Sequence, residues 1–521
     1  MTALISEQLP LLASAFHGTA LLRKAILGLA IRGLLVSQDE ADEPAGALEE
    51  RAAALKPSKL TKLSSAPAPV IDAPYELPRG WLWTTLPALA VINPRNQAED
   101  DSEASFVPMA AIGTGFSDSH TQETRRWGDI KTGFTHFAEG DIGVAKITPC
   151  FENSKACVFS GLINGIGAGT TELHVVRPLG GTLAPRYVLA YLKSPWFLDN
   201  GESKMTGTAG QKRLPKDFVE RHPFPLPPLA EQHRIVAKVD ELMALCDRLE
   251  ARQQDAEAAH ARLVQALLDS LTQARDADDF QARWQRLTSA FAQAFITESS
   301  VDALTQTIRA LAFRGALSSS GAADWRHVRI SDVVQFLNGY AFKSEWFVPH
   351  GIRLVRNVNI AHGSIDWREA ACIPTERSEE FAAFALKEGD VLLTLDRPII
   401  STGLKVAVVR LVDLPCLLLQ RVARLTPRAE LLRATFLLHW LHSPLFMDAI
   451  DPGRSNGVPH ISTKQVGSMA IPLPPLDEQD RIVAKMERLL ALCDQLKARI
   501  ATARAKHAQL AEALVAQAVA A

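Results

Sequence analysis

Cysteine is scarce in this chain and no two cysteines are paired by spacing. Six occur among 521 residues, and none forms a Cys-x-x-Cys pair. The sequence therefore predicts neither a metal site nor a disulfide framework, and a reducing, cytoplasmic environment is expected. The six positions are Cys150, Cys157, Cys246, Cys372, Cys416 and Cys493.

Long apolar runs are also missing. The first residues, "MTALISEQLPLLASAFHGTALLRK", place leucines at helical spacing and lack the basic start and unbroken apolar run of a signal peptide. No other run approaches the roughly 20 residues of a membrane span. Composition, 47% hydrophobic and 22% charged, is that of a soluble globular protein. No membrane contact is expected, and the length predicts roughly three to five structural units.

An excess of positive charge is absent as well. Lys and Arg number 56 against 58 Asp and Glu, a formal net charge of −2. This balance argues against a strongly basic nucleic-acid binder, although a local patch can still bind DNA.

Catalytic motifs are the last absence. "GIGAGTT" (165–171) has no lysine in the phosphate-binding position of a P-loop. "INPRN" (92–96) lacks the aromatic residue that follows Asn-Pro-Pro in amino-methyltransferases, and the histidines stand alone in the sequence. No catalytic residue is predicted, which favours a binding protein over an enzyme.

What the chain does contain is a long repeat. "PLPPLAEQHRIVAKVDELMALCDRLEAR" at 225–252 returns at 472–499 as "PLPPLDEQDRIVAKMERLLALCDQLKAR", with 20 of 28 positions identical. In both copies prolines precede a predicted helix with a seven-residue apolar period, the pattern of a coiled-coil seam. The seam positions we use below are Ile235, Leu242, Leu249 and Leu263 in the first copy and Ile482, Leu489, Leu496 and Leu510 in the second.

A weaker repeat links the start of the chain to its centre. "LRKAILGLAIRGLL" (22–35) matches "LTQTIRALAFRGAL" (304–317) at seven of fourteen positions. The centre therefore carries both repeated helices in order, while the two chain ends carry one each. This circular arrangement predicts a pseudo-two-fold relation between the halves.

Two segments of about 150 residues lie between the helical regions. Each contains "EGD" (139–141 and 388–390) followed by a proline eight residues after the Asp, and later "VLAYLKSPWF" (188–197) or "LLHWLHSPLF" (437–446). Short β-branched runs and one helical stretch predict a mixed α/β domain for each. The predicted domains are 1–35, an N-terminal helical segment; 36–77, a helix and flexible linker; 78–228 and 325–475, the α/β domains; 229–318, the central helical region; and 476–521, the C-terminal helix.

The doubled "PLPPLxEQxRIVAK" motif around two divergent α/β segments closely resembles the specificity subunit of type I restriction-modification enzymes. "ELPRGWLWTTL" and "NGYAFKSEWF" are also similar to that family, so the resemblance covers nearly the whole chain. It implies an α+β multidomain fold in which two target recognition domains are separated by an antiparallel helical coiled coil. It also implies that each domain reads one half of a split sequence in double-stranded DNA, while the conserved helices dock two methyltransferase subunits.

The resemblance implies a subunit without an active site or cofactor of its own. S-adenosylmethionine, ATP and Mg would belong to partner subunits, which include helicase-nuclease subunits where the system restricts DNA. Residues 78–222 hold 15 Lys and Arg against 15 Asp and Glu, and residues 325–471 hold 17 against 14. We therefore expect weak DNA binding without the methyltransferase subunits.

Candidate DNA contacts are polar loops whose residue types suit phosphates and base edges. Two glycine-containing loops, "KMTGTAGQKR" and "GRSNGVPH", occupy equivalent positions, with Gly210 matching Gly457. An ordinary solvated loop is the alternative for each candidate. The candidates are Lys204, Gln211, Lys212, Arg213, Arg454, Asn456 and His460 in these loops, and Arg125, Arg126, Arg356, Asn357 and Asn359 elsewhere.

Two other functions fit parts of the sequence. A coiled-coil scaffold whose two α/β domains bind proteins would suit the near-neutral charge. A fused methyltransferase is excluded by the missing cofactor and catalytic motifs. A neighbouring gene for an adenine methyltransferase would favour the DNA-specificity function over the scaffold.

Overall fold

The computed structural model describes residues 18–55, 74–208, 210–274, 277–318, 321–400, 403–450 and 460–520. It divides into two compact units, unit 1 of residues 1–256 with 504–521 and unit 2 of residues 257–503. The helices are α1 Gly18–Ile31, α2 Ala45–Leu55, α3 Leu86–Leu89, α4 Trp127–Ile130, α5 Pro185–Leu192, α6 Pro195–Lys204, α7 Lys216–Arg221, α8 Leu229–Thr272, α9 Ala277–Ser289, α10 Phe291–Ala294, α11 Glu298–Phe313, α12 Ile330–Val333, α13 Ala434–Leu441, α14 Pro444–Met447, α15 Thr463–Ser468 and α16 Leu476–Ala520.

The fold combines helices with sheets, and the long helix α8 lies in sequence between two strand-rich segments. In unit 1 the strands are β1 Leu82–Thr85, β2 Ala90–Ile92, β3 Glu103–Val107, β4 Glu123–Arg126, β5 Thr135–Ala138, β6 Ile142–Ala145, β7 Ala156–Val158, β8 Ile166–Gly169, β9 Leu173–Pro178 and β10 Pro223–Leu226. In unit 2 they are β11 Arg326–Arg329, β12 Val334–Asn338, β13 Ile352–Val355, β14 His362–Gly363, β15 Ala371–Ile373, β16 Val391–Thr394, β17 Ile399–Ile400, β18 Gly403–Leu404, β19 Val406–Val408, β20 Cys416–Leu418, β21 Val422–Pro427 and β22 Ala470–Leu473.

The two strand-rich segments share a topology. One sheet has the order β2-β9-β6-β7 in unit 1 and β12-β21-β16-β19 in unit 2, where β14 extends it. A second sheet has β3 between β4 and β8, and β13 between β15 and β20. Each segment is closed by its first and last strands, β1 with β10 and β11 with β22, both antiparallel. The two segments therefore have the same strand order over these strands, although most of their side chains differ.

The "EGD" landmarks form the same turn in both units. Gly140 and Gly389 have φ of +80° and +84°, a left-handed conformation that glycine adopts without steric cost. The following Asp141 and Asp390 are buried, and their carboxylates accept hydrogen bonds from the N–H groups of Ala138 and Lys387. This turn leads into β6 and β16, the central strands next to β9 and β21.

The core of each unit joins the helices to the strand-rich segment. In unit 1, α5 carries a continuous buried stretch from Tyr187 to Leu192, and this stretch belongs to one cluster with α1 and the start of α8. In unit 2, Phe436 and Trp440 of α13 share a cluster with α11 and the start of α16. Burial of apolar surface, at about 25 cal/mol per Å2, is what holds each segment against its helices.

The seven-residue seam holds only over the first turns of the long helices. Ile235 and Ile482 are fully buried, and the next predicted positions are half-buried. Leu263 and Leu510, however, are 51% and 48% exposed, while the adjacent Val264 and Ala511 are buried. An α-helix drifts about 20° per heptad against a strict 3.5-residue repeat, so after four heptads the buried position moves by nearly one residue.

The N-terminal regions are only partly described. The helix predicted within 36–77 is α2, whereas residues 1–17 and 56–73, which include most of the predicted linker, lie outside the described residues. No helix among the described residues is long and apolar enough to cross a membrane.

Candidate nucleic-acid interface

The glycine-containing loop of unit 1 folds back against the loop that follows β6. Arg213 forms antiparallel bridges with both Thr206 and Ile147. The Lys212 N–H donates to Thr148 Oγ1 at 3.1 Å, and the Thr148 N–H donates to the Lys212 carbonyl at 3.0 Å. The predicted candidates in this loop, Lys204, Gln211, Lys212 and Arg213, are all exposed.

Arg213 is held by a carboxylate at the start of β9. Its Nη2 lies 2.8 Å from Glu172 Oε1 and its Nε lies 2.9 Å from Oε2. These hydrogen bonds from Arg213 lower the pKa of Glu172 below its ordinary value, so the pair is fully ionised at neutral pH. A planar guanidinium held in this way presents its remaining edge in a fixed direction.

The matching loop of unit 2 ends at the corresponding position, beside the segment that follows β16. His460 forms an antiparallel bridge with Asp396, and the Ile461 N–H donates to the Leu395 carbonyl at 3.0 Å. Asp396 lies 249 residues after Ile147, the same interval that separates Asp141 from Asp390. The predicted equivalence of the two loops is therefore seen at their C-terminal ends. Arg454 and Asn456 lie outside the described residues.

The charges at these matched positions differ between the units. In unit 2 the Asp396 carboxylate pairs with both His460 and Arg421, whereas in unit 1 position 147 is an isoleucine. Glu172 is the residue before β9, and Arg421 is the residue before the corresponding strand, β21. This matched position therefore carries a negative charge in unit 1 and a positive charge in unit 2. The same backbone framework thus displays two different polar surfaces.

Two arginines of this surface have an unusual backbone. Arg421 and Arg397 have φ of +68° and +46°, and both side chains are exposed. Left-handed conformations are uncommon for residues other than glycine and cluster at functional sites. Arg397 lies beside Asp396, so both strained residues flank the carboxylate that His460 contacts.

The predicted group "RNVN" contains one buried residue, Asn359, and two half-buried ones, Arg356 and Asn357. Asn357 donates to the Asp396 carbonyl at 2.9 Å and contacts the Lys405 ammonium, so it adjoins the Asp396 loop. Asn359 is only 1% exposed. Its Nδ2 donates to the Asp366 and Glu369 carbonyls and its Oδ1 accepts from the Arg356 N–H.

Asn359 therefore shapes the turn, because both ends of its buried amide are bonded to backbone groups. Arg356 is half-buried, and its Nη2 also donates to the Glu369 carbonyl. For both residues a contact with bases stays a prediction from the sequence.

Arg125 and Arg126 lie on β4, in the second sheet of unit 1. Arg125 stacks over the Phe106 ring at 3.7 Å and pairs with Glu123 at 2.7 Å. The Arg126 side chain is 71% exposed, with Asp101 3.7 Å away. The contacts of both side chains are with Phe106, Glu123 and Asp101 of the same region, so Arg125 and Arg126 form a separate candidate surface.

Sequence reasoning missed Glu172, Asp396 and Arg421, the charged partners at the ends of these loops. The available signal was the constant interval of 249 residues between the "EGD" turns, which aligns positions whose residue types differ. Among the described residues, no group of three or more His, Cys, Asp or Glu side chains is placed to hold a metal ion.

Comparison with known proteins gives the same family as the repeat. The family described as the Type I restriction modification DNA specificity domain matches residues 93–258 and 322–503. The chain belongs to that family. It is 46% identical to the specificity subunit of the type I restriction enzyme EcoAI from Escherichia coli, over 96% of this chain and 93% of that protein. It is 36% identical to the EcoEI specificity subunit from Escherichia coli, over the same shares.

A solved structure supports the fold of this family member. A chain from a study of complex assembly and conformational transition of the type I R-M system superposes with a TM-score of 0.54 at 21% identity, covering 86% of this chain and 99% of that chain. The family recognised from the repeated motif is therefore confirmed. As a type I specificity subunit, the protein is the non-catalytic DNA-recognition component of its system.

Proposed function

We propose that the protein reads a bipartite target in double-stranded DNA, one half-site with each strand-rich segment. The observation that carries this proposal is the pair of matched loops. In unit 1 Arg213 forms a backbone bridge with Ile147 and pairs with Glu172, whereas in unit 2 His460 forms a bridge with Asp396, whose carboxylate pairs with both His460 and Arg421. The two strand-rich segments, which we call readers, share a backbone topology but carry different polar side chains. They are therefore suited to two unlike half-sites.

In this proposal the two long helices, α8 and α16, form a helical frame that separates the two recognition segments. Helices α8 and α16 have 44 and 45 residues, about 66 Å each at 1.5 Å per residue. Unit 1 contains the start of α8 and the end of α16, and unit 2 contains the reverse. This exchange supports an antiparallel coiled coil with a pseudo-two-fold relation. The proposed recognition domains keep the extents 78–228 and 325–475.

Assembly follows from the same duplication. Each repeated helix provides one docking site, so one copy of the chain binds two methyltransferase subunits. S-adenosylmethionine is bound by those subunits, and ATP and Mg by helicase-nuclease subunits where the system has them. The alternative function, a scaffold whose two domains bind proteins, was suggested by the near-neutral net charge. Family membership outweighs that argument, because partner subunits add contacts to the DNA phosphates.

Exchange of one reader tests the proposal. Residues 325–471 are replaced by the corresponding segment of a relative with a different target, and the methylated sequences are determined in cells that carry the chain and its methyltransferase. We expect one half of the methylated sequence to change while the other half and the gap stay the same. A change in both halves together would contradict independent readers.

A further inference from the structure

The repeated "PLPPLxEQ" motif contains a glutamine that is buried in both copies. Gln232 and Gln479 are each 0% exposed, at the first turn of α8 and of α16. A buried primary amide is stable only when its carbonyl and its N–H groups find hydrogen-bond partners. These two glutamines find them at corresponding backbone positions of their own units.

In unit 1 the side chain of Gln232 joins two segments. Its Oε1 accepts a hydrogen bond from the Ala184 N–H at 2.8 Å, and its Nε2 donates to the Pro227 carbonyl at 3.0 Å. Ala184 is the N-cap of α5 and has no side-chain cap of its own. One amide thus connects the first turn of α5 with the proline turn that begins α8.

In unit 2 Gln479 makes the same connection. Its Oε1 accepts from the N–H of Arg433, the N-cap of α13, at 2.9 Å, and its Nε2 donates to the Pro474 and Leu431 carbonyls, each at 2.9 Å. Arg433 follows Ala184 by 249 residues, the interval between the "EGD" turns, and Pro474 follows Pro227 by 247, the interval of the repeat. Both long helices therefore hold their recognition segments through one amide side chain each.

We infer that Gln232 and Gln479 are positioning residues, which fix the orientation of each recognition segment on its long helix and so make the complex selective for one gap length. The buried side chains of α5 and α13 share an apolar cluster with strands of their own unit and with the start of the long helix. A recognition segment that rotates on its helix reaches half-sites displaced along the DNA. The glutamine of the repeated motif thus makes contacts inside each unit and is not part of a surface for partner subunits.

The inference rests on the proposed bipartite reading and is tested in the assembled complex with its methyltransferase subunits. Methylation rates are compared on DNA duplexes that carry the wild-type half-sites with the native gap, and with gaps one base pair shorter and longer. Gln232→Met keeps the side-chain volume but removes both hydrogen bonds. We expect the rate on altered gaps, relative to the native gap, to rise by about tenfold, which corresponds to about 1.4 kcal/mol, with unchanged preference for bases.

General loss of folded protein lowers all rates equally, so the ratio separates positioning from stability. His233→Ala, at the exposed neighbour, is the matched control and should leave the ratio at the wild-type value. Gln479→Met repeats the test in unit 2.

An unchanged ratio in both Gln→Met variants would overturn the inference. If the wild-type complex itself methylates no bipartite sequence, the proposed function fails instead. The two failures are therefore distinguishable within one set of measurements.

Discussion

Arg213 and Glu172 are joined by two parallel hydrogen bonds between residues 41 positions apart, with Nη2 2.8 Å from Oε1 and Nε 2.9 Å from Oε2. The Arg213 side chain is 48% exposed, and pairs of this kind contribute only about 0–1 kcal/mol to stability. The pair is therefore better suited to orienting a guanidinium toward a ligand than to holding the fold together.

Arg213→Ala should weaken recognition of one half-site. A bidentate arginine contributes about 1–3 kcal/mol of discrimination at a base pair, so methylation at cognate sites should fall about tenfold or more, with relaxed base preference in one half only. Arg221→Ala, which removes an exposed arginine from α7 of the same unit, is the control. Steady-state methylation of duplexes substituted base by base measures both, and equal loss for all sequences would point to a phosphate contact instead.

Exposed seam leucines should matter for assembly, and buried seam residues for folding. Leu263 and Leu510 are about half exposed, so Leu263→Asp and Leu510→Asp should fold normally and each lose one methyltransferase subunit. Ile235→Asp places a charge at a fully buried position and should destabilise unit 1 by several kcal/mol. Native mass spectrometry of the co-expressed complex gives the stoichiometry, and an intact two-methyltransferase complex in both leucine variants would contradict this assignment of docking sites.

A buried histidine makes the stability of unit 1 depend on pH. His222 is 7% exposed, its Nδ1 lies 2.6 Å from the Tyr191 hydroxyl, and burial lowers its pKa to about 4. The unfolded chain, with a histidine pKa near 6.5, binds the proton more readily. The stabilisation is therefore complete above about pH 6.5 and is lost as pH falls toward 4, by up to roughly 3 kcal/mol.

His222→Phe removes this titration. Urea midpoints between pH 4.5 and 7.5 should fall less steeply with decreasing pH in the variant than in the wild type. The variant should also be less stable at pH 7, because the contact with Tyr191 is lost. Parallel curves for the two proteins would exclude His222 as a source of the acid sensitivity.

Periodic and repeated features could be predicted from the sequence, because they depend on local spacing. The repeat indicated both long helices, and the proline turns marked their starts. The phase drift at Leu263 was not predicted, since it accumulates from the difference between 3.6 and 3.5 residues per turn. The role of Gln232 was also missed, because its partner Ala184 lies 48 residues away and contributes only a backbone N–H.

The candidate site was predicted only in part. Glycine and basic residues indicated the loop of Arg213, but its partner Glu172 depends on how β9 is placed beside β6. Asn359 shows the opposite case, a residue of a suitable type whose side chain is buried. An asparagine that caps a buried turn and one that contacts DNA have the same appearance in a sequence, and only burial separates them.

We propose that the helical frame holds the two recognition segments at a fixed distance, and a longer frame tests this proposal. Seven residues are inserted into each long helix, after Ala256 and after Ala503, where the two units divide. A heptad turns the apolar stripe by only about 20° and adds about 10.5 Å, or roughly three base pairs of DNA at about 3.4 Å each. Methylome sequencing should find both half-sites unchanged and the gap wider by about three base pairs, whereas an unchanged gap or altered half-sites would contradict the account.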